Sequence, residues 1–239
     1  MIVDYMKKFS ISVFFPVYND EKTIPKLVAD VVPILKRISD DYEVILVNDC
    51  STDNSAKVVE QLAKKYPHVR TIHHEHNMGY GGSLKSGIYG ARKEWVFYTD
   101  GDGQYDVAEL EKLVPWMGSA DLVNGYKISR SDSYMRRIAG FAYKKFINFM
   151  FRINIQDVDC DFRLMRRNIF DSITLTSDSG FIDGEMIAKL RRKGVRVKDV
   201  PVHHYPRLGT VSQFFKVDKI IEVFIDMGKQ WWRINMMDD

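Results

Sequence analysis

The stretch Ile11-Ser12-Val13-Phe14-Phe15-Pro16-Val17-Tyr18-Asn19-Asp20 sets the reading of the chain. Its first seven residues are a β-rich run without charge, and a helical pattern through Leu27, Val31 and Leu35 follows. The unit then repeats. Tyr42 to Val47 reads as a buried strand and Ser55 to Tyr66 as a helix, His68 to His73 as a third strand backed by a helix over Gly81 to Arg92, and Glu94 to Thr99 as a fourth strand. This alternation predicts an α/β fold with a mostly parallel sheet covered on both faces, whose ligands gather at the carboxyl ends of the strands. Beyond a further strand over Ala120 to Tyr126, the rhythm loosens into a basic, aromatic helix and the segment Asp157 to Arg166. A helix around Phe181 to Arg192 and a strand near Val195 to Val200 complete the pattern.

Composition narrows the function classes. With 239 residues and 45% hydrophobic content, the chain has ample material for a packed core, which argues against disorder or fibrous repeats. Lys plus Arg (35) against Asp plus Glu (32) is too balanced for a protein that coats nucleic acid. Cys50 and Cys160 are too few to staple a domain of this size, which points to a reducing cytosol. Met1 to Lys8 carries Asp4, Lys7 and Lys8 rather than the apolar core of a secretory signal. No charge-free apolar stretch approaches the roughly 18–20 residues that cross a bilayer.

Polar clusters leave strands one, two and four: Tyr18-Asn19-Asp20-Glu21, Asn48-Asp49-Cys50-Ser51-Thr52-Asp53 and Asp100-Gly101-Asp102-Gly103-Gln104. Residues i and i+2 leaving a strand point to one side, so Asp100 and Asp102 place two hard oxygen ligands together. That geometry suits Mg²⁺ or Mn²⁺ bridging a diphosphate, with Gln104 adding an oxygen. Asp49 is placed to accept hydrogen bonds from a base or ribose, whereas Ser51, Asp53 and Asp106 read as turn and cap residues. Gly79-Tyr80-Gly81-Gly82-Ser83 opens a helix with neither dinucleotide-binding nor Walker spacing and reads as a tight turn, with Lys85 one helical turn on to face a phosphate.

Taken together, these clusters resemble the family 2 glycosyltransferases of GT-A fold, especially the polyprenol-phosphate, dolichol-phosphate mannosyltransferase-like branch. The resemblance covers most of the chain. Besides the clusters above it includes Asn77-Met78-Gly79-Tyr80-Gly81-Gly82, Asp157 to Arg166 with Cys160-Asp161-Phe162-Arg163, and His204-Tyr205-Pro206-Arg207-Leu208-Gly209. It implies that Pro16, Tyr18 and Asp49 hold the nucleoside, with Asp20 standing where the family usually has Glu and Glu21 beside it as a substitute. It also implies that Asp100 and Asp102, with Gln104, hold the metal and the sugar-nucleotide diphosphate. Asn48 and Cys50 replace the Asp and Gly of the common D-D-G-S motif, so uracil and guanine both stay open. The expected organisation is one GT-A domain over 1–239: a nucleotide-sugar half (10–126), an acceptor-side half (127–209) and an amphipathic C-terminal helix (210–239).

Two apolar-basic segments bear on the acceptor. Ser133 to Gln156 contains Arg136, Arg137, Lys144, Lys145 and Arg152 without an acid, interleaved with large apolar residues, the composition of a helix that lies on an anionic membrane. In the tail, Phe214, Val217, Ile221, Phe224, Gly228 and Trp231 recur at helical spacing against a face of mixed charge, which suits a membrane interface, a dimer contact or packing on the sheet. A phosphomonoester acceptor, largely ionised at neutral pH, needs no general base but does need cationic positioning. Arg130, Arg136, Arg137, Arg163 and Arg207 are the candidates, with Arg207 and one of Arg136 or Arg137 favoured by the resemblance. Asp183 falls where hydroxyl-directed members carry their base, with Ile182 in place of its usual Glu partner, so transfer to a saccharide hydroxyl stays open as the alternative.

The expected function is metal-dependent, inverting transfer of a hexose from a UDP- or GDP-sugar to a polyprenyl phosphate, by an enzyme peripheral on the cytoplasmic face of the membrane. A homo-oligomer or a membrane-protein partner is compatible with the sequence. A non-catalytic nucleotide-sugar-binding scaffold is a third reading, opposed by the intact Asp100, Asp102 and Gln104. A dehydrogenase is disfavoured because strand one leads into Pro-Val-Tyr-Asn rather than a glycine loop.

Overall fold

The computed structural model describes residues 9–129, 145–206 and 217–236. Seven strands, β1 (Ser10–Val17), β2 (Asp41–Asn48), β3 (Val69–His73), β4 (Trp95–Thr99), β5 (Leu122–Ser129), β6 (Phe162–Arg166) and β7 (Val197–His203), form one sheet in the order β3-β2-β1-β4-β6-β5-β7. All neighbours run parallel except β6, which is antiparallel to both β4 and β5. The mostly parallel sheet expected from the alternation is thus present.

β1 is buried along its length because alternate side chains enter different layers. Ile11, Val13, Phe15 and Val17 join one core, packed under α1 (Ile24–Ile38) and α2 (Ser55–Lys65). Phe14 enters the other, beneath α3 (Gly79–Gly90), α4 (Ile182–Arg192) and α5 (Val217–Met236). The same split separates Val44 and Leu46 from Ile45 and Val47 on β2, and Trp95 and Phe97 from Val96 and Tyr98 on β4. α1 fits this surface by burying Ile24, Leu27, Val28, Val31, Val32, Leu35 and Ile38, a stripe at helical spacing.

From β1 the chain moves outward to β2 and β3, then returns to place β4 on the other side of β1. This reversal opens a crevice at the carboxyl ends of β1 and β4, the place where such sheets bind ligands. The segment Asp157 to Arg166 contributes β6, wedged between β4 and β5, an element with no clear period in the sequence.

α3 lies very close to the sheet. A Cβ at Gly87 would fall 2.2 Å from Phe14 Cδ2, and the Phe14 ring is itself stacked on Tyr98 at 5.2 Å. Gly87→Ala would stabilise by about 1 kcal/mol on helix propensity alone. We expect it instead to destabilise by about 1–3 kcal/mol through overpacking, read from the urea midpoint. A stabilised variant would show that the helix does not approach this closely.

Candidate active site

Loops after β1, β2 and β4 interlock through backbone groups. Asn19, at φ +59°, accepts hydrogen bonds at Oδ1 from Thr52 N (2.8 Å) and Asp53 N (3.3 Å), tying the first loop to the second. Glu21 Oε2 accepts from Asn54 N (3.0 Å), so its carboxylate serves this lacing. Asp53 and Asp106 do the expected capping, accepting from Ser55 N (2.8 Å) and Ala108 N (2.9 Å). Cys50 sits at φ +54°, in the left-handed region that explains the glycine of the common motif there.

The turn after β4 packs on the first loop. Thr23 Oγ1 donates to Gly101 O (2.6 Å), and a Cβ at Gly101 would lie 2.6 Å from Pro16 O, so only glycine lets Asp100 and Asp102 reach this depth. Asp20 Oδ2 accepts from Tyr18 N (3.1 Å), and Tyr18 keeps an exposed ring. Asp102 Oδ1 accepts from Gln104 N (3.0 Å). The Gln104 side chain donates from Nε2 to Tyr205 O (3.0 Å), while Tyr205 N donates to Gln104 O (2.8 Å), which draws the chain leading towards residue 207 onto this rim.

Asp100 has the least satisfied carboxylate. Its Oδ1 is buried and meets no donor among the described residues. Burial, and then the charges of Asp161, Asp102, Asp183 and Asp20, push its carboxyl well above the usual range. Such a convergence of hard oxygens fits a divalent cation. Among the described residues no three of His, Cys, Asp and Glu form a cluster that could hold a metal ion.

Beneath this acidic rim, one row of side chains crosses the sheet. Arg163 on β6 stands opposite Tyr98 on β4 and Asn124 on β5, and Asn124 stands opposite Asp199 on β7. Arg163 Nε donates to Asn124 Oδ1 (2.7 Å), its Nη1 to Tyr98 Oη and Asp183 Oδ1, and its Nη2 to Val158 O. Tyr98 Oη also donates to Asp183 Oδ1 (2.5 Å). Arg163 was expected among the acceptor-binding arginines. The structure corrects this: its side chain is 0% exposed, because β6 lies inside the sheet and turns the guanidinium towards α4. Asp183, the candidate base, is 3% exposed and forms the other half of this ion pair; burial raises it to about 6 against the opposing pull of Arg163.

Lys85 is likewise engaged, pairing with Asp178 rather than standing free for a phosphate. Asp178 O accepts Gly81 N (3.1 Å), so one amide of the tight turn that opens α3 is spent within the chain. The loop carrying Asp178 is fixed from behind, with Glu185 accepting from Thr176 N and Ser177 N (2.8–3.1 Å), and Asp226 of α5 accepting from Ser177 Oγ and Ser179 Oγ. Arg136, Arg137, Arg207 and Arg130 lie outside the described residues.

Sequence reasoning gave no role to Asp161, His74 or Tyr98. Tyr80 Oη donates to Asp161 Oδ1 (2.8 Å) at the mouth of β6. His74 Nδ1 meets Asp49 Oδ1 at 2.6 Å. Their signal was positional: His74 follows strand three as Asp49 follows strand two.

A crevice between β1 and β4, rimmed by Asp20, Asp49, Asp100 and Asp102, is the setting in which the comparisons with known proteins become decisive. The profile of glycosyl transferase family 2 matches residues 12–174. The chain belongs to glycosyl transferase family 2. It is a glycosyltransferase of GT-A fold. Dolichyl-phosphate β-glucosyltransferase ALG5D of Trichomonas vaginalis is 26% identical over 95% of this chain and 75% of its own length. Glycosyltransferase AglD of Haloferax volcanii is 27% identical over 95% of this chain but only 38% of its own length. Undecaprenyl-phosphate 4-deoxy-4-formamido-L-arabinose transferase of Proteus mirabilis is 32% identical over 68% of this chain and 51% of its own length. The chain thus spans between about a third and three quarters of these relatives. Among solved structures, the Mycobacterium tuberculosis glucosyl-3-phosphoglycerate synthase complex with Mn²⁺, UDP and glucosyl-3-phosphoglycerate shares the fold at TM-score 0.67 and 13% identity, over 95% of this chain and 77% of that one. Mannosyltransferase PcManGT of Pyrobaculum calidifontis, with GDP-Man and Mn²⁺, does so at 0.66 and 17%, over 92% and 64%.

Removing one partner of the Arg163–Asp183 pair leaves a buried charge uncompensated. Asp183→Ala is therefore expected to cost about 3–5 kcal/mol in urea unfolding, and the Arg163→Met/Asp183→Leu pair less than that single change. A loss below about 1 kcal/mol for Asp183→Ala would show that the pair does not hold β6 to α4.

Proposed function

We propose that this glycosyltransferase moves a hexose, with inversion, from a nucleotide diphosphate sugar to a polyprenyl phosphate. The observation that carries the reading is the state of Asp183. A base for a hydroxyl acceptor must reach the proton it removes. This carboxylate lies beneath the rim with Oδ1 taken by Arg163 and Tyr98. A phosphate acceptor already carries its charge, its second pKa being about 6, and attacks without a base. Relatives named for dolichyl phosphate and undecaprenyl phosphate support the same acceptor class. Transfer to a saccharide hydroxyl is the second reading, favoured by the raised pKa of Asp183.

In this mechanism Asp100 and Asp102, with the side-chain oxygen of Gln104, would hold Mg²⁺ or Mn²⁺. The bound ion supplies charge neutralisation for the departing diphosphate. Asp49, Tyr18 and Pro16 seat the nucleoside, and Asp20 steadies the first loop through Tyr18 N. Arg207 with Arg136 or Arg137 positions the acceptor phosphate. The donor residues all come from the 10–126 half.

A lipid acceptor calls for a surface that meets lipid. Projected at 100° per residue, Ile221, Phe224, Ile225, Trp232 and Met236 share an arc of about 120° on α5. Each is more than half exposed. They lie on the side of α5 turned away from the core-facing Met227, Gln230 and Ile234 and from the ordered polar contacts of Asp226. Trp231 Nε1 donates to Met150 O (3.2 Å), bringing helical residues 145–151 alongside, where Phe149 is 82% exposed. Among the described residues no helix is long and apolar enough to cross a membrane, so this face serves as a docking face on the bilayer surface.

Two experiments test the reading. Labelled UDP- and GDP-hexoses offered with Mn²⁺ to a short polyprenyl phosphate, the matching polyprenol and simple sugars should label the phosphorylated lipid alone. Labelling of a sugar hydroxyl instead would return Asp183 to the role of base. Vesicles containing anionic lipid should co-sediment the wild-type chain, and Phe224→Glu/Ile225→Glu should reduce the bound fraction at least about tenfold. Undiminished binding would remove α5 from the docking face.

A further inference from the structure

We propose that Glu109 is a positioning residue for the divalent cation. Through His203 it fixes the end of β7, and through Tyr205 that end sets the amide of Gln104, so that the Gln104 side-chain oxygen meets the ion with its orientation already chosen. The inference rests on the metal reading above and adds a residue that acts on the ion only through others.

β7 closes one edge of the sheet and, among the described residues, pairs with β5 alone, so its outer backbone groups need other partners. Glu109 supplies one. It ends the short helical turn Val107–Glu109, which Asp106 caps and which begins three residues after Gln104. Its Oε2 accepts from His203 N (3.0 Å), and its Oε1 meets His203 Nδ1 at 2.6 Å and Lys112 Nζ at 3.0 Å. An ionised carboxylate only accepts, so Nδ1 carries the proton. Burial pushes the Glu109 carboxyl up, but the hydrogen bonds from His203 and Lys112 outweigh it and hold the group below its usual range. Glu109 thus clamps the last residue of β7 with both oxygens.

From His203 the constraint passes to Tyr205. Their rings lie near-parallel with centroids 6.2 Å apart, while the intervening His204 meets the Tyr105 ring edge-on at 5.1 Å. Tyr205 N donates to Gln104 O (2.8 Å), and Gln104 Nε2 donates to Tyr205 O (3.0 Å). A backbone carbonyl only accepts, so this contact decides which end of the amide is nitrogen. Nε2 faces Tyr205, and Oε1, which meets no donor among the described residues, is the end left for a cation. Gln104 N donates at the same time to Asp102 Oδ1 (3.0 Å), which keeps these two members of the proposed ligand set in register. An unrestrained glutamine samples several rotamers and loses that freedom on meeting the ion. Held from behind, Gln104 has lost it beforehand, which is how partners behind a ligand raise metal affinity.

The test is calorimetric binding of UDP and GDP to the full chain with and without Mn²⁺. Glu109→Gln, which presents an NH₂ group where an oxygen accepted, should weaken the Mn²⁺–nucleotide complex about tenfold or more and leave metal-free nucleotide binding within about twofold. His203→Phe keeps the ring and the backbone contact but removes the Nδ1 proton, and should weaken the same complex by less. The deciding readout is the double change: in a Gln104→Ala chain, Glu109→Gln should cost nothing further, because no amide is left to set. A merely structural Glu109 would lower the urea midpoint with the Mn²⁺–nucleotide affinity unchanged, or weaken binding equally in both backgrounds, and either result overturns the proposal. If Glu109→Gln fails to fold, His203→Phe in the two backgrounds decides. Mn²⁺ leaving the wild-type affinity for both nucleotides unchanged would overturn the metal reading and this proposal with it. Metal-dependent tightening that survives Glu109→Gln would overturn this proposal alone.

Discussion

The buried guanidinium of Arg163 is the contact on which the rest of the site depends. It lies in the middle of the sheet, where an isolated charge would be prohibitively costly. Tyr98, Asn124, Asp183 and the Val158 carbonyl together surround it with acceptors. Those partners come from β4, β5, α4 and the segment before β6, so a single side chain fixes the antiparallel insert against the parallel half. Replacing the ensemble by apolar residues would cost little stability, which marks the network as a device for fixing geometry.

The geometry it fixes is an excess of negative charge. Asp100 feels the fields of Asp161, Asp102, Asp183 and Asp20, while the guanidinium below is committed to Asp183. An oxygen of Asp100 stays buried without a donor among the described residues. Proteins carry such arrangements where a ligand resolves them. A divalent ion together with a diphosphate would do so here. Above the same crevice Asp49 accepts hydrogen bonds from His74 and from Met78 N.

The parallel half was legible in the sequence because its strands are uninterrupted apolar runs and its polar clusters sit directly after them. Asp100, Asp102, Asp20 and Asp49 therefore appeared on one rim before any coordinates. Boundaries shifted by one or two residues: α3 starts at Gly79 instead of Gly81, since Gly79 at φ +74° begins the turn, and Arg92 N is spent on Glu43 Oε1 at 2.8 Å. The second half was opaque for a physical reason. Phe-Arg-Leu-Met-Arg over 162–166 has no clear period, and nothing local shows that Arg163 is internal. Its partners lie 65, 39 and 20 residues away, and only the folded register brings them together. The pairing of Lys85 with Asp178 was equally invisible, because the two are 93 residues apart.

On the proposed mechanism, the carboxylates at the ends of β1 and β4 take up a cation that arrives with the donor diphosphate. The most direct measurement is a crystal of the chain grown with UDP and Mn²⁺, with data collected at the manganese edge. One strong anomalous peak is expected within about 2.0–2.3 Å of a carboxylate oxygen of Asp100 or Asp102 and of a diphosphate oxygen. A diphosphate bound in this crevice with manganese absent, or manganese held elsewhere on the chain, would contradict it.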